Sequence, residues 1–319
     1  MTRGARASDP ETAMRFAKFH GYGNDYIVFE ARELSAAAGW SGDFVRIGEV
    51  GPFGDFVRRV CHRHYGAGGD GIAVVERTEG ESAAADFRLR IFNADGSEAA
   101  MSGNGSRCAV AYLYHRGLWT ADELSLNTRA GVKRYHLRGR PGPGRYLFEA
   151  EIGRPLFDSD SIPFAAPAPA GPLPEVRDFP LPLPGGETVA VTALQMCNPN
   201  CCVFADDLEA LDWRRLGGLI EPHAQFPEKT NVEFIRVLGP GEIEARVWER
   251  GVGETLSSGT GASAAAVASA LTGRAGRRVR VHMPGGTLEV FWRDDGEVLL
   301  TGTAEAVYEG EWLKAMDEG

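Results

Sequence analysis

Two glycine-rich segments of this 319-residue chain resemble each other at a spacing of 156 residues, the distance from Ser102 to Ser258. RIFNADGSEAAMSGNG aligns with RVWERGVGETLSSGTG, and in each copy a strand-like run precedes the segment and an alanine-rich, helix-like run follows it. Five aligned positions are identical: Arg90 and Arg246, Glu98 and Glu254, Ser102 and Ser258, Gly103 and Gly259, Gly105 and Gly261. We therefore expect a duplicated unit, with one copy in each half of the chain.

Short apolar runs between glycine and asparagine clusters predict strands through most of the sequence, beginning with a strand–turn–strand over Met14–Glu30. Eight of the 18 prolines fall within residues 163–184. Because proline fixes φ and lacks a backbone donor, this stretch is predicted to be a surface connection between the halves, outside the core.

Composition excludes several classes of protein. A net charge of −10 argues against a nucleic-acid partner, and no run approaches the roughly 18 apolar residues of a membrane span. Residues 1–13 are polar and lack the apolar core of a signal peptide. They are predicted to be a disordered leader, or to result from a misassigned start if Met14 is the first residue. The five cysteines give no secreted disulfide pattern, so a cytoplasmic location is expected. Cys197, Cys201 and Cys202 are predicted to be buried strand thiols.

Two apparent motifs are rejected. Gly66, Gly68 and Gly71 match G-x-G-x-x-G, but a helix-like run precedes them and a strand follows, which reverses the order of a dinucleotide-binding turn. Cys61 and His64 have a metal-like spacing without a second pair, so no metal is expected.

The two S-G-x-G turns are the main candidate for a binding site. A serine before a helix can cap it, and the free backbone donors of a helix N-terminus suit a carboxylate ligand. The alternative is that Ser102 and Ser258 are ordinary caps. Polar residues beside turns or strand ends add further candidates: Asn24, Asn93, Asn198, Asn231, Glu249 and Arg250. For these the alternatives are local turn capping and, for Glu249 and Arg250, a surface ion pair.

The blocks FHGYGNDY, GGDG, FNADGSEAAMSGNGSRC, NPN, TNVEF and ERGVGETLSSGTGA occur in the order in which diaminopimelate epimerases carry similar blocks. The chain resembles that family over roughly residues 14–310. The resemblance implies an α+β fold of two pseudo-symmetric lobes, each a β-barrel-like sheet curled around a central helix, with the substrate between them. The lobes would span residues 14–152 and 153–306, with residues 307–319 returning to the first.

The resemblance also implies the chemistry. Such enzymes use no cofactor, are homodimers, and interconvert LL- and meso-diaminopimelate for lysine and peptidoglycan synthesis. Two cysteines on opposite faces of the α-carbon remove and return a proton. By resemblance, Ser102 and Ser258 occupy these catalytic positions. The implied substrate contacts are Asn24, Asn93, Asn198, Asn231, Glu249 and Arg250, and the implied helix-end donors are Gly103, Asn104, Gly259 and Thr260.

This chain departs from the family pattern at four positions. Serine replaces cysteine at Ser102 and Ser258, Cys197 replaces a glycine, and Asn200 replaces a histidine. A serine hydroxyl needs a neighbouring base, and Glu249 is the candidate. Three possibilities stay open. The serines are engineered, or the chain is an epimerase that works through hydroxyls, or the site is reused by another amino-acid isomerase, a dehydratase-like enzyme or a non-catalytic amino-acid binder.

Overall fold

The computed structural model describes residues 13–37, 51–78, 84–166 and 171–313. The predicted leader lies outside these residues except for Ala13. The chain divides into two compact units, one within residues 1–148 and 303–319 and the other within residues 149–302. No helix in the described ranges has the length and apolar character needed to cross a membrane.

The first unit consists of strands around one long helix. Its elements are β1 (Met14–Gly21), β2 (Asn24–Glu30), α1 (Ala31–Ala37), α2 (Gly51–Cys61), β3 (Gly71–Arg77), β4 (Phe87–Asn93), β5 (Glu98–Ala99), α3 (Gly103–His115), β6 (Glu123–Thr128), β7 (Gly131–Gly142) and the first part of β8 (Arg145–Gly153). The end of the last strand, β17 (Val298–Trp312), also belongs to it and pairs antiparallel with β1.

The second unit repeats this plan. Its elements are β9 (Val176–Pro182), β10 (Thr188–Gln195), β11 (Pro199–Phe204), α4 (Trp213–Ile220), β12 (Asn231–Gly239), β13 (Glu242–Glu249), β14 (Gly253–Thr255), α5 (Gly259–Leu271), β15 (Arg278–Met283) and β16 (Gly286–Trp292). The first part of β17 completes the unit by pairing antiparallel with β16.

Strand pairing is the same in both units. In the first unit, β1 pairs antiparallel with β2, β2 parallel with β3, and β3 antiparallel with β4. Strand β4 also pairs antiparallel with β5 and parallel with β6, and β6 pairs antiparallel with β7. From β10 to β16 the order and directions are identical. The duplication predicted from the two glycine-rich segments is therefore present in the strand topology.

Each long helix is enclosed by its own sheet. Eleven of the 13 residues of α3 and ten of the 13 residues of α5 are buried, as expected for a helix that is surrounded on all sides. Helix α3 packs on β1 to β4, and α5 packs on β10 to β13, β15 and β16. The predicted α+β fold, with a barrel-like sheet around a central helix, is confirmed.

A second core lies outside each sheet. In the first unit, α1 and α2 cover apolar residues such as Phe29 and Phe92. In the second unit, Trp213, Leu216 and Ile220 of α4 cover Val232 and Phe234 of β12. Alternate residues of the strands therefore face two different layers, one towards the central helix and one towards the outer helices.

The prediction for the proline-rich stretch was wrong. Residues 176–182 form β9, which pairs with β10 inside the second unit, and Leu181 and Leu183 are buried in its outer core. Among the described residues, the residue-by-residue pairing of β9 is antiparallel to β10. Pro180 and Pro182 pair with Ala190 and Thr188 of β10. Because they are two residues apart, their missing N–H groups fall on the same side of β9.

The prediction for Cys197 was also wrong. Cys201 and Cys202 are buried on β11, as expected, but Cys197 is exposed in the turn between β10 and β11. Its φ of 64° lies in the left-handed region that favours glycine. A glycine at this position, as in the family pattern, would therefore fit the turn with less strain.

Candidate active-site half-sites

In the first unit the site is built around the start of α3. Ser102 is the N-cap residue, with φ −134° and ψ 124°, and its Oγ accepts a hydrogen bond from the backbone N–H of Gly105 at 3.1 Å. The phenol of Tyr26 on β2 donates a second hydrogen bond to the same oxygen at 2.9 Å. Two donors engage both lone pairs of Ser102 Oγ, so its own hydrogen remains available for donation.

Gly103 and Asn104 open this helix. The first intrahelical bond runs from the N–H of Ser106 to the carbonyl of Ser102, so the N–H groups of Gly103 and Asn104 precede it, as at any helix start. The Asn104 side chain is buried, and its Oδ1 accepts a hydrogen bond from Arg107 Nη1 at 3.1 Å. Sequence reasoning missed Arg107, which is 1% exposed, although it lies within the family-like block GNGSRC.

Asn24 lies beside a cluster of charged groups. Its Nδ2 donates to Asp70 Oδ2 at 2.7 Å. Arg63 donates to both oxygens of Asp25 and to Asp70, and Lys18 Nζ lies 2.7 Å from Asp25 Oδ2. Burial opposes ionisation of Asp25, but the hydrogen bonds from Arg63 and Lys18 outweigh it and lower its pKa to about 2. This network fixes the start of β2, and with it the position of Tyr26.

Asn93 is placed differently from the other candidates. It is exposed at the end of β4, where its Nδ2 donates to Ser97 Oγ at 3.0 Å and its N–H donates to the Ser97 carbonyl at 2.8 Å. These are the contacts of a residue that stabilises its own turn. The structure records no contact between Asn93 and the Ser102 group within the described ranges.

In the second unit, Ser258 caps α5 with the same geometry. Its φ is −133° and its ψ is 125°, and Ser258 Oγ accepts from the N–H of Gly261 at 3.1 Å. Thr260 Oγ1 lies 3.4 Å from the same oxygen. The N–H groups of Gly259 and Thr260 precede the first intrahelical bond, which links Ala262 to Ser258. The two serines are thus matched in backbone conformation and in capping contact.

Amide side chains form a chain of hydrogen bonds at the ends of β11, β12 and β13. Asn200 Nδ2 donates to the carbonyl of Asn198 at 2.6 Å and to its Oδ1 at 3.1 Å. Asn231, which is 2% exposed, donates to Asn200 Oδ1 at 3.3 Å and accepts from the N–H of Arg250 at 2.9 Å. The structure therefore brings Asn198, Asn231 and Arg250 together, with Asn200 as the link between them.

The two charged residues at the end of β13 have separate roles. Arg250 is exposed, and its Nη1 donates to the carbonyl of Glu228 at 2.9 Å. In the described part of the chain, no ion pair joins it to Glu249. Burial raises the pKa of the Glu249 carboxyl above its ordinary value. The surface ion pair considered as an alternative from the sequence is therefore not present.

Glu233 was missed by the sequence reasoning. It lies on β12 two residues after Asn231 and is fully buried, and Cys202 Sγ donates to its Oε2 at 3.8 Å. Its Oε1 has no hydrogen-bond partner among the residues that the structure describes. Burial raises its pKa well above the ordinary value. The available signal was an acidic residue at an inward position of the strand TNVEF, since i and i+2 share one face.

Comparisons with known proteins cover almost the whole chain. The family profile described as diaminopimelate epimerase matches residues 16–142 and 192–307. The diaminopimelate epimerase of Desulforudis audaxviator is 42% identical over 306 residues, which is 95% of this chain and 100% of that protein. The diaminopimelate epimerase of Pelotomaculum thermopropionicum is 42% identical over 301 residues, covering 94% and 99% of the two chains.

A solved structure supports the fold at lower identity. A hydroxyproline epimerase from Agrobacterium vitis matches with a TM-score of 0.63 and 15% identity, covering 95% of this chain and 93% of that one. At such identity the likeness concerns the fold alone. The sequence matches extend through both units and include the two serine-capped helix starts, and on that basis the chain belongs to the diaminopimelate epimerase family.

Proposed function

We propose that the chain is an amino-acid isomerase that interconverts LL- and meso-2,6-diaminopimelate without a cofactor, in lysine and peptidoglycan precursor synthesis. The observation that carries the proposal is the pair of matched helix starts, each with a serine hydroxyl at the N-cap. The 42% identity to diaminopimelate epimerases over essentially their full length supports the same activity.

In this proposal, Ser102 and Ser258 stand where the family has its two acid/base cysteines. One hydroxyl removes the α-proton of the substrate and the other returns a proton to the opposite face. The electron pair left on the α-carbon is delocalised into the α-carboxylate. Backbone donors at a helix N-terminus stabilise such developing negative charge most strongly when it is greatest, which is in the transition state. Gly103, Asn104, Gly259 and Thr260 are the proposed donors.

The remaining contacts would recognise the two amino-acid ends of the substrate. Amide side chains both donate and accept, so they bind ammonium and carboxylate groups together. The proposed substrate-binding residues are Asn24, Asn93, Asn198, Asn231, Glu249 and Arg250. Asn198, Asn231 and Arg250 already share one hydrogen-bonded network. By family resemblance we also propose that the protein is cytoplasmic and that it is a homodimer. Light scattering on the purified protein tests the homodimer.

Proton NMR of LL-diaminopimelate in D₂O tests the activity directly. We expect loss of the α-proton signal and appearance of meso product. Ser102→Ala and Ser258→Ala should each lower the rate by at least about 100-fold, the usual contribution of a general acid or base. Ser263→Ala is the matched control, because Ser263 is a buried serine of α5 that bonds to the carbonyl of Gly259. It should retain the wild-type rate.

Two outcomes would contradict the proposal. Measurable binding without exchange, at high enzyme concentration and long incubation, would identify a non-catalytic amino-acid binder. Undiminished exchange in both serine variants would place the chemistry on other residues.

A further inference from the structure

The carboxyl group of Glu233 faces the start of α5. Asn231 and Glu233 lie on the inner face of β12, whereas Val232 and Phe234 belong to the outer core. A Cβ built on Gly261 would lie 3.1 Å from Glu233 Oε1 and 3.2 Å from Ser258 Oγ. The free carboxyl oxygen and the serine hydroxyl therefore border the same small space above Gly261.

The first unit holds a different group in the equivalent place. Gly105 corresponds to Gly261, and a Cβ on Gly105 would lie 2.9 Å from the Tyr26 ring. The strand position equivalent to Glu233 is Ala73, because Val74 pairs with Arg90 as Phe234 pairs with Arg246. One serine thus has a phenol that donates to it, and the other has a carboxyl beside it.

A purely structural role accounts poorly for Glu233. A buried carboxyl oxygen without a hydrogen-bond partner destabilises the folded state by about 1–3 kcal/mol, and a glutamine or an apolar residue would avoid the risk of a buried charge. Buried polar groups without a partner are uncommon in native proteins, and some of them take part in catalysis. Here the oxygen borders the same space above Gly261 as a serine that needs a base.

On the basis of the proposed epimerase activity, we propose that Glu233 is a positioning residue for a proton relay through Ser258. In the enzyme form in which Glu233 is ionised, Ser258 Oγ forms a bond to the α-proton as the Cα–H bond breaks, and the hydroxyl proton of Ser258 passes to the Glu233 carboxylate. The substrate electron pair stays on the α-carbon and its carboxylate. In the reverse direction Glu233 returns the proton to Ser258 as the serine protonates the α-carbon.

The surroundings of Glu233 suit proton exchange. Within the described residues, the titratable groups that interact electrostatically with it are Cys201 and Cys202 on β11 and Glu249 on β13, and α5 carries no titratable side chain. Burial and the nearby Glu249 favour the neutral form of Glu233. The neutral form is the proton donor for the half-reaction in which Ser258 protonates the α-carbon. The carboxylate left by that step then has a high proton affinity for the reverse half-reaction, since proton affinity rises with pKa.

A pair of substitutions separates the relay from a structural role. Glu233→Gln keeps the size of the side chain but cannot take a proton, so we expect kcat to fall by at least about 100-fold, with KM unchanged within a few-fold. Ser258→Cys installs a group that ionises by itself. In that background, Glu233→Gln should change kcat by less than about threefold. Glu233→Asp keeps the carboxyl and should recover part of the activity lost in Glu233→Gln.

The matched control for buried polar groups is Ser269→Ala, which removes a hydroxyl of α5 that bonds to the carbonyl of Ala265. It should leave kcat unchanged in both backgrounds. An equal loss of kcat on Glu233→Gln with Ser258 and with Ser258→Cys would overturn the relay, and so would full activity of Glu233→Gln in an active wild-type background.

A second measurement does not require activity. In Ser258→Cys, the rate of alkylation at position 258 against pH, followed by peptide mass spectrometry, gives the thiol pKa. Once Glu233 ionises, its charge disfavours a thiolate beside it, so adding Glu233→Gln should lower this pKa. No shift would overturn the proposed coupling. If wild-type protein shows no exchange in D₂O, the epimerase proposal fails. The alkylation titration then still tests whether Glu233 is electrostatically coupled to position 258.

Discussion

Replacing Tyr26 with phenylalanine tests the half-site of the first unit. Tyr26 is 5% exposed on β2, and its phenol donates to Ser102 Oγ at 2.9 Å. Tyr26→Phe removes this donor and keeps the ring that packs beside Gly105. The capping bond from Gly105 to Ser102 is independent of the phenol and should persist.

The expected effect differs between stability and rate. In the resting protein the bond joins two neutral groups, so its loss should lower the free energy of unfolding by about 0.5–1.5 kcal/mol. When Ser102 gives up its proton, negative charge develops on Oγ and the bond becomes charge-assisted, which roughly doubles its strength. The transition state then loses about 2 kcal/mol and the ground state about 1 kcal/mol, so the barrier rises by about 1 kcal/mol and kcat should fall roughly fivefold.

The assay is the exchange of the α-proton in D₂O, with urea unfolding on the same samples. Tyr112→Phe is the matched control, because Tyr112 is a buried tyrosine of the same unit whose phenol donates to Glu30 Oε1 at 3.1 Å. Both variants should lose stability, Tyr112→Phe more than Tyr26→Phe because its acceptor is a carboxylate, and Tyr26→Phe alone should lose rate. If kcat of Tyr26→Phe stays within about threefold of wild type, the phenol does not support the serine and the reasoning is refuted.

Three further predictions follow from other sites. The folded-state pKa of Asp25 is about 2, so the unfolded chain binds more protons below about pH 4, and stability should fall between pH 4 and pH 2. Asp25→Asn should flatten that fall in urea titrations and cost about 2 kcal/mol at pH 7. Asn231→Ala leaves Asn200 Oδ1 and the Arg250 N–H without their partner, so urea unfolding should show a loss of about 2–4 kcal/mol. Cys197→Gly should raise the melting temperature by a few degrees, since φ is 64° there.

Local patterns predicted the duplicated helix starts well. Ser102 and Ser258 act through contacts three residues away, and the following glycines and small residues fix the turn and the helix in the sequence itself. The strand order then repeats because each copy contains the same succession of turns. The duplication could therefore be predicted from short-range signals, whereas the α+β fold with barrel-like sheets was implied by the resemblance to the epimerase family and is confirmed by the structure.

The partners of the serines depend on pairing between distant segments. Tyr26 reaches Ser102 across 76 residues, and Glu233 comes beside Ser258 through the register of β12 and the position of α5. Neither contact has a local signature. The prediction for the proline-rich stretch failed for a related reason, because the pairing of β9 with β10 depends on the whole sheet and has no signature in the prolines themselves.

The unequal partners of the two serines have a thermodynamic consequence. A reversible isomerisation has one equilibrium constant, so the ratio of forward to reverse kcat/KM is fixed for every variant. Loss of the Tyr26 phenol or of the Glu233 carboxyl must therefore slow both directions in kcat/KM by the same factor. Each substitution can still change which enzyme form accumulates when the substrate is saturating. The kcat values for the two stereoisomers can therefore change by different factors, one through each half-site.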